Sequence, residues 1–106
     1  MIYVVHLYEC TPKHSSLFTS AFDHDGPLAE IGKYLPGHVH TQLRPHSSRP
    51  HTYLAIEFWL TEDDYRRASP SVAFRVREEW LKTITDAHTH LGIFLPRAEG
   101  SRTAKG

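Results

Sequence analysis

Residues 38–65 read HVHTQLRPHSSRPHTYLAIEFWLTEDDY, a pattern that predicts two strands, a turn and the start of a helix. In segment 38–44 two sets of side chains alternate along the chain, as they do in a strand whose two faces differ. One face carries Val39, Thr41 and Leu43, and the other carries His38, His40, Gln42 and Arg44. The polar segment 45–50 is predicted to turn the chain into an apolar strand at 53–60, so that the two strands form a hairpin.

The two faces of the apolar strand differ in chemistry. Leu54, Ile56 and Phe58 form a uniformly apolar face, which suits contact with a second sheet. The opposite face is mixed and suits a cleft between the sheet and its helices. That face carries Tyr53, Ala55, Glu57 and Trp59.

Elements on either side of this hairpin complete the fold. A strand is predicted at 2–10, and two helical stretches follow before Gly37. Thr61 and Ser71 are predicted N-caps of two later helices. The apolar set of the second of these helices keeps a helical period over about four turns. That set is Ala73, Val76, Trp80, Ile84 and Ala87. A short last strand is predicted at Leu91 to Leu95.

The predicted order is strand, helix, strand, strand, helix, strand, which is the split βαβ arrangement of ferredoxin-like α+β domains. At 106 residues the chain fits one domain, predicted at 1–95 with a mobile tail at 96–106. The helices cover only one face of the antiparallel sheet, and a second sheet would cover the other. We therefore expect a homodimer that forms an α/β barrel.

Composition excludes several classes of protein. Lys and Arg number 12, as do Asp and Glu, so the chain lacks the basic excess that nucleic acids and anionic membranes attract. Apolar runs are far shorter than the roughly 20 residues that span a bilayer. Met1 is not followed by a basic n-region, so no signal peptide is expected. Cys10 is the single cysteine, which suits a reducing cytoplasm.

Three short motifs resemble the antibiotic-biosynthesis-monooxygenase family. Phe58 to Tyr65 contains the pattern W-x-S/T-E-x-x-Y/F, Leu35 to His38 contains P-G-H, and Ser71 to Phe74 contains S-x-x-F. The resemblance runs from about Tyr3 to Phe94. It implies homodimers of ferredoxin-like subunits. It also implies one of several activities, which include cofactor-independent oxygenation of polyketide anthrones and haem degradation.

The resemblance also implies site residues. Trp59 and Tyr65 match the aromatic pocket of the anthrone-oxidising members, whereas Ala55 stands where those members have an asparagine. A flat aromatic substrate is expected to pack against Trp59 in the space beside Ala55, with His40 as a further contact. The alternative is that Trp59 is ordinary core. Haem-degrading members depend on three positions, and this chain has different residues there, namely His6, Ala68 and Glu78. Haem degradation is therefore not expected.

Two residues are candidate bases. Cofactor-free oxygenation needs a group that removes a proton from a phenol or enol, after which the anion reduces oxygen. His6 is the first candidate, because histidine titrates near neutral pH. Glu57 is the second, since burial between apolar neighbours is expected to raise its pKa. The alternative for Glu57 is an ion pair with Arg44 or with a histidine across the hairpin.

The nine histidines leave a metal site open as an alternative, because His38 and His40 are expected to share a face that His6 could join. His88 and His90 are interpreted as structural or surface residues at a helix end. The sequence thus predicts a cofactor-independent monooxygenase for a small aromatic substrate, with no cofactor. The alternatives are a dimeric protein that binds a hydrophobic metabolite and a metal-dependent enzyme.

Overall fold

The first strand, β1 (Ile2–Cys10), lies inside a four-stranded antiparallel sheet in the computed structural model, which describes residues 1–97. A 3₁₀ turn leads into the first helix, and the remaining elements follow in chain order. They are α1 (Ser15–Ala21), α2 (Pro27–Gly32), β2 (His38–Pro45), β3 (Thr52–Trp59), α3 (Glu62–Ala68), α4 (Val72–Lys82) and β4 (Thr85–Phe94). The strand order is β2-β3-β1-β4. The predicted ferredoxin-like α+β fold is confirmed. Most of the predicted tail lies outside the described residues.

The predicted helix starts are confirmed by their caps. The Thr61 hydroxyl accepts a hydrogen bond from the backbone N–H of Asp64, and the Ser71 hydroxyl accepts one from that of Phe74. Gly37 precedes β2 with a φ of 90°, in the left-handed region, and a Cβ there would lie 2.4 Å from the Asp64 Cβ. Only glycine fits both conditions. These local signals fix where β2 and α3 begin.

The buried face of α4 differs from the predicted one. The helix ends at Lys82, and its buried residues are Phe74, Arg77 and Leu81, whereas Val76 is 52% exposed. The apolar pattern missed this face because a charged residue lies at its centre. Arg77 turns inward because a buried carboxylate, Glu57, pairs with it.

The last strand is longer than predicted and changes the setting of two histidines. β4 pairs with β1 along nearly its whole length, from Tyr3 opposite Phe94 to Cys10 opposite Thr85. His88 and His90 therefore lie on a strand beside β1, so their interpretation as residues of a helix end is wrong. Most of β4 is exposed, and its sequence lacks the apolar alternation that identifies a half-buried strand.

The helix-facing side of the sheet carries the core. Every second residue of β1 is buried, and on β3 the buried residues of this side are Ala55, Glu57 and Trp59. The core divides into two clusters, one around Tyr8 and Phe18 and the other including Trp59. The predicted division of β3 into two faces is confirmed.

The opposite face of the sheet is apolar and uncovered in the described part of the chain. We call it the open face, defined by Tyr3, Val5, Leu7, Leu54, Ile56 and Phe58. These residues pair across β1 and β3, and the rings of Tyr3 and Phe58 lie 5.1 Å apart. Each is only partly buried. Among residues 1–97, no helix is long and apolar enough to cross a membrane.

We expect the open face to be covered by a second copy of this chain. Ile56→Asp should then weaken association by at least about 100-fold, because burying an unpaired carboxylate costs several kcal/mol. Light scattering at micromolar concentration should show a dimer for the wild type and a monomer for the variant. Val76→Asp, the same kind of change on the exposed side of α4, is the control and should stay dimeric. A monomeric mass for the wild type would contradict the expectation.

Candidate active site

A β-bulge in β2 determines where its histidines point. His38 lies opposite Trp59 and His40 opposite Phe58, so the strand contains one extra residue between two consecutive pairs. The His38 ring meets the edge of Trp59 at 5.1 Å on the helix side, and the His40 ring lies 4.4 Å from Phe58 on the open face. The prediction that His38 and His40 share a face is therefore wrong. Bulges commonly redirect one side chain in this way next to functional sites.

The same bulge removes the predicted metal arrangement. His6 and His38 lie on the helix side of the sheet, and the ring of His40 lies on the other side, so these three imidazoles cannot converge. No other group of three metal-ligating side chains converges within residues 1–97.

A cavity of about 440 Å³ lies where α2, β2 and α4 meet. Phe22 and Leu28 supply part of its apolar wall. Its basic lining residues include His24, Lys33, His38 and Arg77. No carboxylate lines it among the described residues, so the cavity suits a small, partly apolar molecule that carries or develops negative charge.

The cleft predicted beside Ala55 is filled. Ala55 is 1% exposed and packs in the cluster of Tyr8 and Phe18, so its small side chain makes room for neighbouring rings. Trp59 is 0% exposed, and Tyr65 meets it edge to face at 5.4 Å. None of Ala55, Trp59 and Tyr65 lines the cavity. Trp59 instead lies behind the cavity wall, where it supports His38.

Of the three imidazoles that line the cavity, His38 is partly buried, whereas His24 and His40 are exposed. The Nε2 of His38 lies 3.1 Å from the Thr41 hydroxyl, and a Cβ at Gly32 would lie only 3.1 Å from its Nδ1. Burial lowers the pKa of His38, an effect that the Glu57 carboxylate opposes and the Arg77 guanidinium reinforces. The ring is thus held in place and stays a neutral base near neutral pH.

Glu57 is an ionised anchor. Its carboxylate is buried, with Oε2 3.0 Å from Arg77 Nη2 and Oε1 accepting a 3.0 Å hydrogen bond from Trp59 Nε1. Burial alone would raise the pKa, but Arg77, His6 and the indole N–H together lower the pKa of Glu57 to about 2. The predicted rise is therefore wrong. Its main partner is Arg77 of α4, and Arg44 instead donates to Gln42.

Arg77 was not singled out in the sequence. It is 4% exposed, its Nε donates to Glu78 at 3.1 Å, and its guanidinium lies 4.5 Å from the centre of the Phe74 ring. Its Nη2 has no well-aligned hydrogen-bond acceptor among the described residues, although Glu57 is at ion-pair distance. The sequence did contain a signal for it, because residues 74, 77 and 81 lie on one face of a helix and Arg77 is the only charged residue of the three.

His6 lies behind Glu57 and does not line the cavity. It is 3% exposed, with Nε2 3.4 Å from Glu57 Oε2 and Nδ1 2.8 Å from His88 Nε2. The fold thus brings His6, Glu57 and Trp59 together as a supporting cluster. His40 borders the cavity only at the strand edge, with its ring turned to Phe58.

Comparisons with known proteins agree on the fold. SnoaB, a cofactor-independent oxygenase from Streptomyces nogalater, is 22% identical, with a TM-score of 0.69 over 92% of this chain and 93% of SnoaB. A SnoaB mutant is 24% identical, with a TM-score of 0.73 over the same shares. An antibiotic biosynthesis monooxygenase is 15% identical, with a TM-score of 0.64 over 92% of this chain and 98% of that one.

These identities show the fold alone. It is the fold of the antibiotic biosynthesis monooxygenases, as the three sequence motifs implied. No family model matches the chain, and no curated protein matches it.

Proposed function

We propose that this protein is a cofactor-independent monooxygenase whose substrate is a small aromatic molecule with an acidic phenol- or enol-type proton. The observation that carries the proposal is the neutral His38 imidazole facing a cavity with basic lining residues and no lining carboxylate. The fold that this chain shares with a cofactor-independent oxygenase supports it.

The chemistry needs only a base and an electron-rich anion. His38 removes the proton of the enol, which is the tautomer of an aromatic ketone with an activated methylene group, and the resulting anion transfers electrons to O₂ as a C–O bond forms at that carbon. The imidazolium returns its proton to the peroxide, and the hydroperoxide loses water to leave a carbonyl. One oxygen atom enters the substrate and the other leaves as water, so CH₂ and O₂ become C=O and H₂O.

The buried cluster behind His38 stabilises the charges that form. Glu57 acts on His38 by its negative charge and favours the imidazolium. Arg77 of α4 lines the cavity and favours the substrate anion, and Lys33, which follows α2, also lines the cavity with its ammonium paired to Glu30. Trp59 holds the imidazole at 5.1 Å and connects it to Glu57 through the indole N–H.

Oxygen uptake with the anthrone dithranol tests the proposal. His38→Gln should slow uptake by about 100-fold, the usual size of a general-base effect, while changing dithranol affinity less than about threefold. Gln retains a hydrogen-bonding group near Thr41 but cannot accept the proton as a base. His46→Gln, the same change in the exposed turn between β2 and β3, should leave the rate within about twofold.

Two results would contradict the proposal. Binding of dithranol by the wild type without oxygen uptake would favour a protein that only binds a hydrophobic metabolite. If His6→Gln slowed oxygen uptake and His38→Gln did not, the base would be His6, as first expected from the sequence.

A further inference from the structure

A line of hydrogen-bonding groups runs from the interior to the surface on the β4 side of the sheet. Glu57 and His6 are both 3% exposed, whereas His88 is exposed. His6 Nδ1 and His88 Nε2 are 2.8 Å apart, and His6 Nε2 is 3.4 Å from Glu57 Oε2. Tyr8 stacks on His88, with the rings 4.5 Å apart and 11° from parallel. Of this line, only Glu57 takes part in the chemistry assigned to His38.

The carboxylate determines the tautomers along the line. His6 Nε2 is buried without a hydrogen-bond partner among the described residues, and the nearest acceptor is the ionised Glu57. A proton on Nε2 suits this carboxylate, so Nδ1 is left to accept from His88 Nε2–H. The remaining nitrogen of His88, Nδ1, is then its proton-accepting atom.

The other charged and titratable groups around the pair are few. Glu78 of α4 acts on His88, Arg77 of α4 pairs with the same Glu57 oxygen as His6, His90 lies beside His6 on β4 with ring centres 5.2 Å apart, and Tyr8 lies on β1. Burial and the neighbouring His6 lower the pKa of His88, which is therefore neutral near neutral pH.

We propose that Glu57, His6 and His88 form a proton relay through which the surface imidazole of His88 controls the charge behind the cavity. A proton that binds His88 at Nδ1 lets this ring pass its Nε2 proton to His6 Nδ1. The positive charge then lies on His6 beside Glu57, where the carboxylate stabilises it. Two proton positions change and no atom is lost.

The relay matters for the cavity because Glu57 also pairs with Arg77. In the unprotonated state Glu57 neutralises Arg77 across 3.0 Å, and this weakens the attraction of Arg77 for an anion in the cavity. A charged His6 competes for the same carboxylate oxygen, Oε2. Proton uptake at His88 therefore strengthens anion binding, and by linkage an anion in the cavity promotes proton uptake.

Long-range proton–nitrogen NMR of the histidine rings tests the relay directly. We expect His6 to carry its proton on Nε2 at high pH, and His6 to gain proton character as His88 titrates. In His88→Gln, this gain of proton character at His6 should be lost, and His46→Gln, the same change in an exposed turn, should leave it unchanged. A proton on His6 Nδ1, or a His88 that titrates alone, would overturn the proposal.

Binding of salicylate tests the link to the cavity, with salicylamide as the neutral match. Burial and His6 lower the pKa of His88, so the test runs from about pH 8 to well below the ordinary histidine pKa of about 6.5. Over this range salicylate affinity should rise at least about fivefold more in the wild type than in His88→Gln. His46→Gln should behave as the wild type. Equal pH dependence in wild type and His88→Gln would overturn the link.

The effect of His88 on anion binding rests on the proposed function in one respect only, which is that the anion binds in the cavity lined by His38. The two proposals can fail separately, since the salicylate experiment requires no turnover. Loss of oxygen uptake in His38→Gln says nothing about His88. If salicylate binding depended on His88 as expected but no oxygen uptake were seen, the protein would be one that binds an anion together with a proton.

Discussion

Arg77→Met is expected to lower the free energy of unfolding by about 3–5 kcal/mol, the usual cost of removing one partner of a buried ion pair. Arg77 and Glu57 are 4% and 3% exposed, and their Nη2 and Oε2 atoms are 3.0 Å apart. Methionine retains much of the side chain's volume but leaves the Glu57 carboxylate buried without its main counter-charge. Urea unfolding followed by far-ultraviolet circular dichroism measures the change.

Two further variants separate the charge from the packing. The double variant Arg77→Met with Glu57→Gln removes both charges and should recover at least about half of the lost stability, because no unpaired ion remains buried. Arg75→Met, on the exposed side of α4, should change stability by less than about 0.5 kcal/mol. A loss below about 1 kcal/mol in Arg77→Met would show that Glu57 does not depend on this partner.

The same pair predicts how acid destabilises the protein. The folded state lowers the pKa of Glu57 from 4.5 to about 2, so the ionised carboxylate contributes stability that is fully present above pH 4.5. That contribution is lost as pH falls through about 2. Glu57→Gln removes the group and should unfold with a weaker pH dependence over this range than the wild type.

Trp59→Ala is expected to cost about 3–5 kcal/mol of stability, the range for truncating a large buried aromatic residue. Trp59 is 0% exposed, contacts His38 and Tyr65, and donates its indole N–H to Glu57. Trp59→Phe keeps an aromatic ring and loses that donor, so it should cost less than the alanine change. Urea unfolding of both variants measures the difference.

The opposite outcome has a clear meaning. If Trp59→Ala were nearly as stable as the wild type and lost only its affinity for dithranol, Trp59 would contact the substrate, as the sequence motif implied. A cavity beside Ala55 would then have to open on binding.

Local patterns in the sequence were enough for most of the fold. The alternation in β3 separated Leu54, Ile56 and Phe58 from Glu57 and Trp59, because a strand's period of two follows from backbone geometry alone. The caps at Thr61 and Ser71 were equally readable, since a cap involves a residue and its neighbour three positions on.

The site depended on contacts between residues far apart in the chain. Sequence reasoning placed Glu57 and Trp59 on one face of β3 and named His6 as a base, but it did not predict Arg77 as a partner. The Glu57–Arg77 pair joins β3 to α4, and the His6–His88 contact joins residues 82 positions apart. No periodicity within one element reports such contacts.

By itself, the sequence determined the first three strands, the starts of α3 and α4 and the two faces of β3, since each follows from neighbours along the chain. Tertiary structure alone decided which side chains line the cavity. One extra residue in β2 sends His38 and His40 to opposite faces, and the register that creates this bulge is a property of two paired strands. It also decided the ionisation of Glu57, because a guanidinium from α4 outweighs the burial that the carboxylate's own neighbours impose.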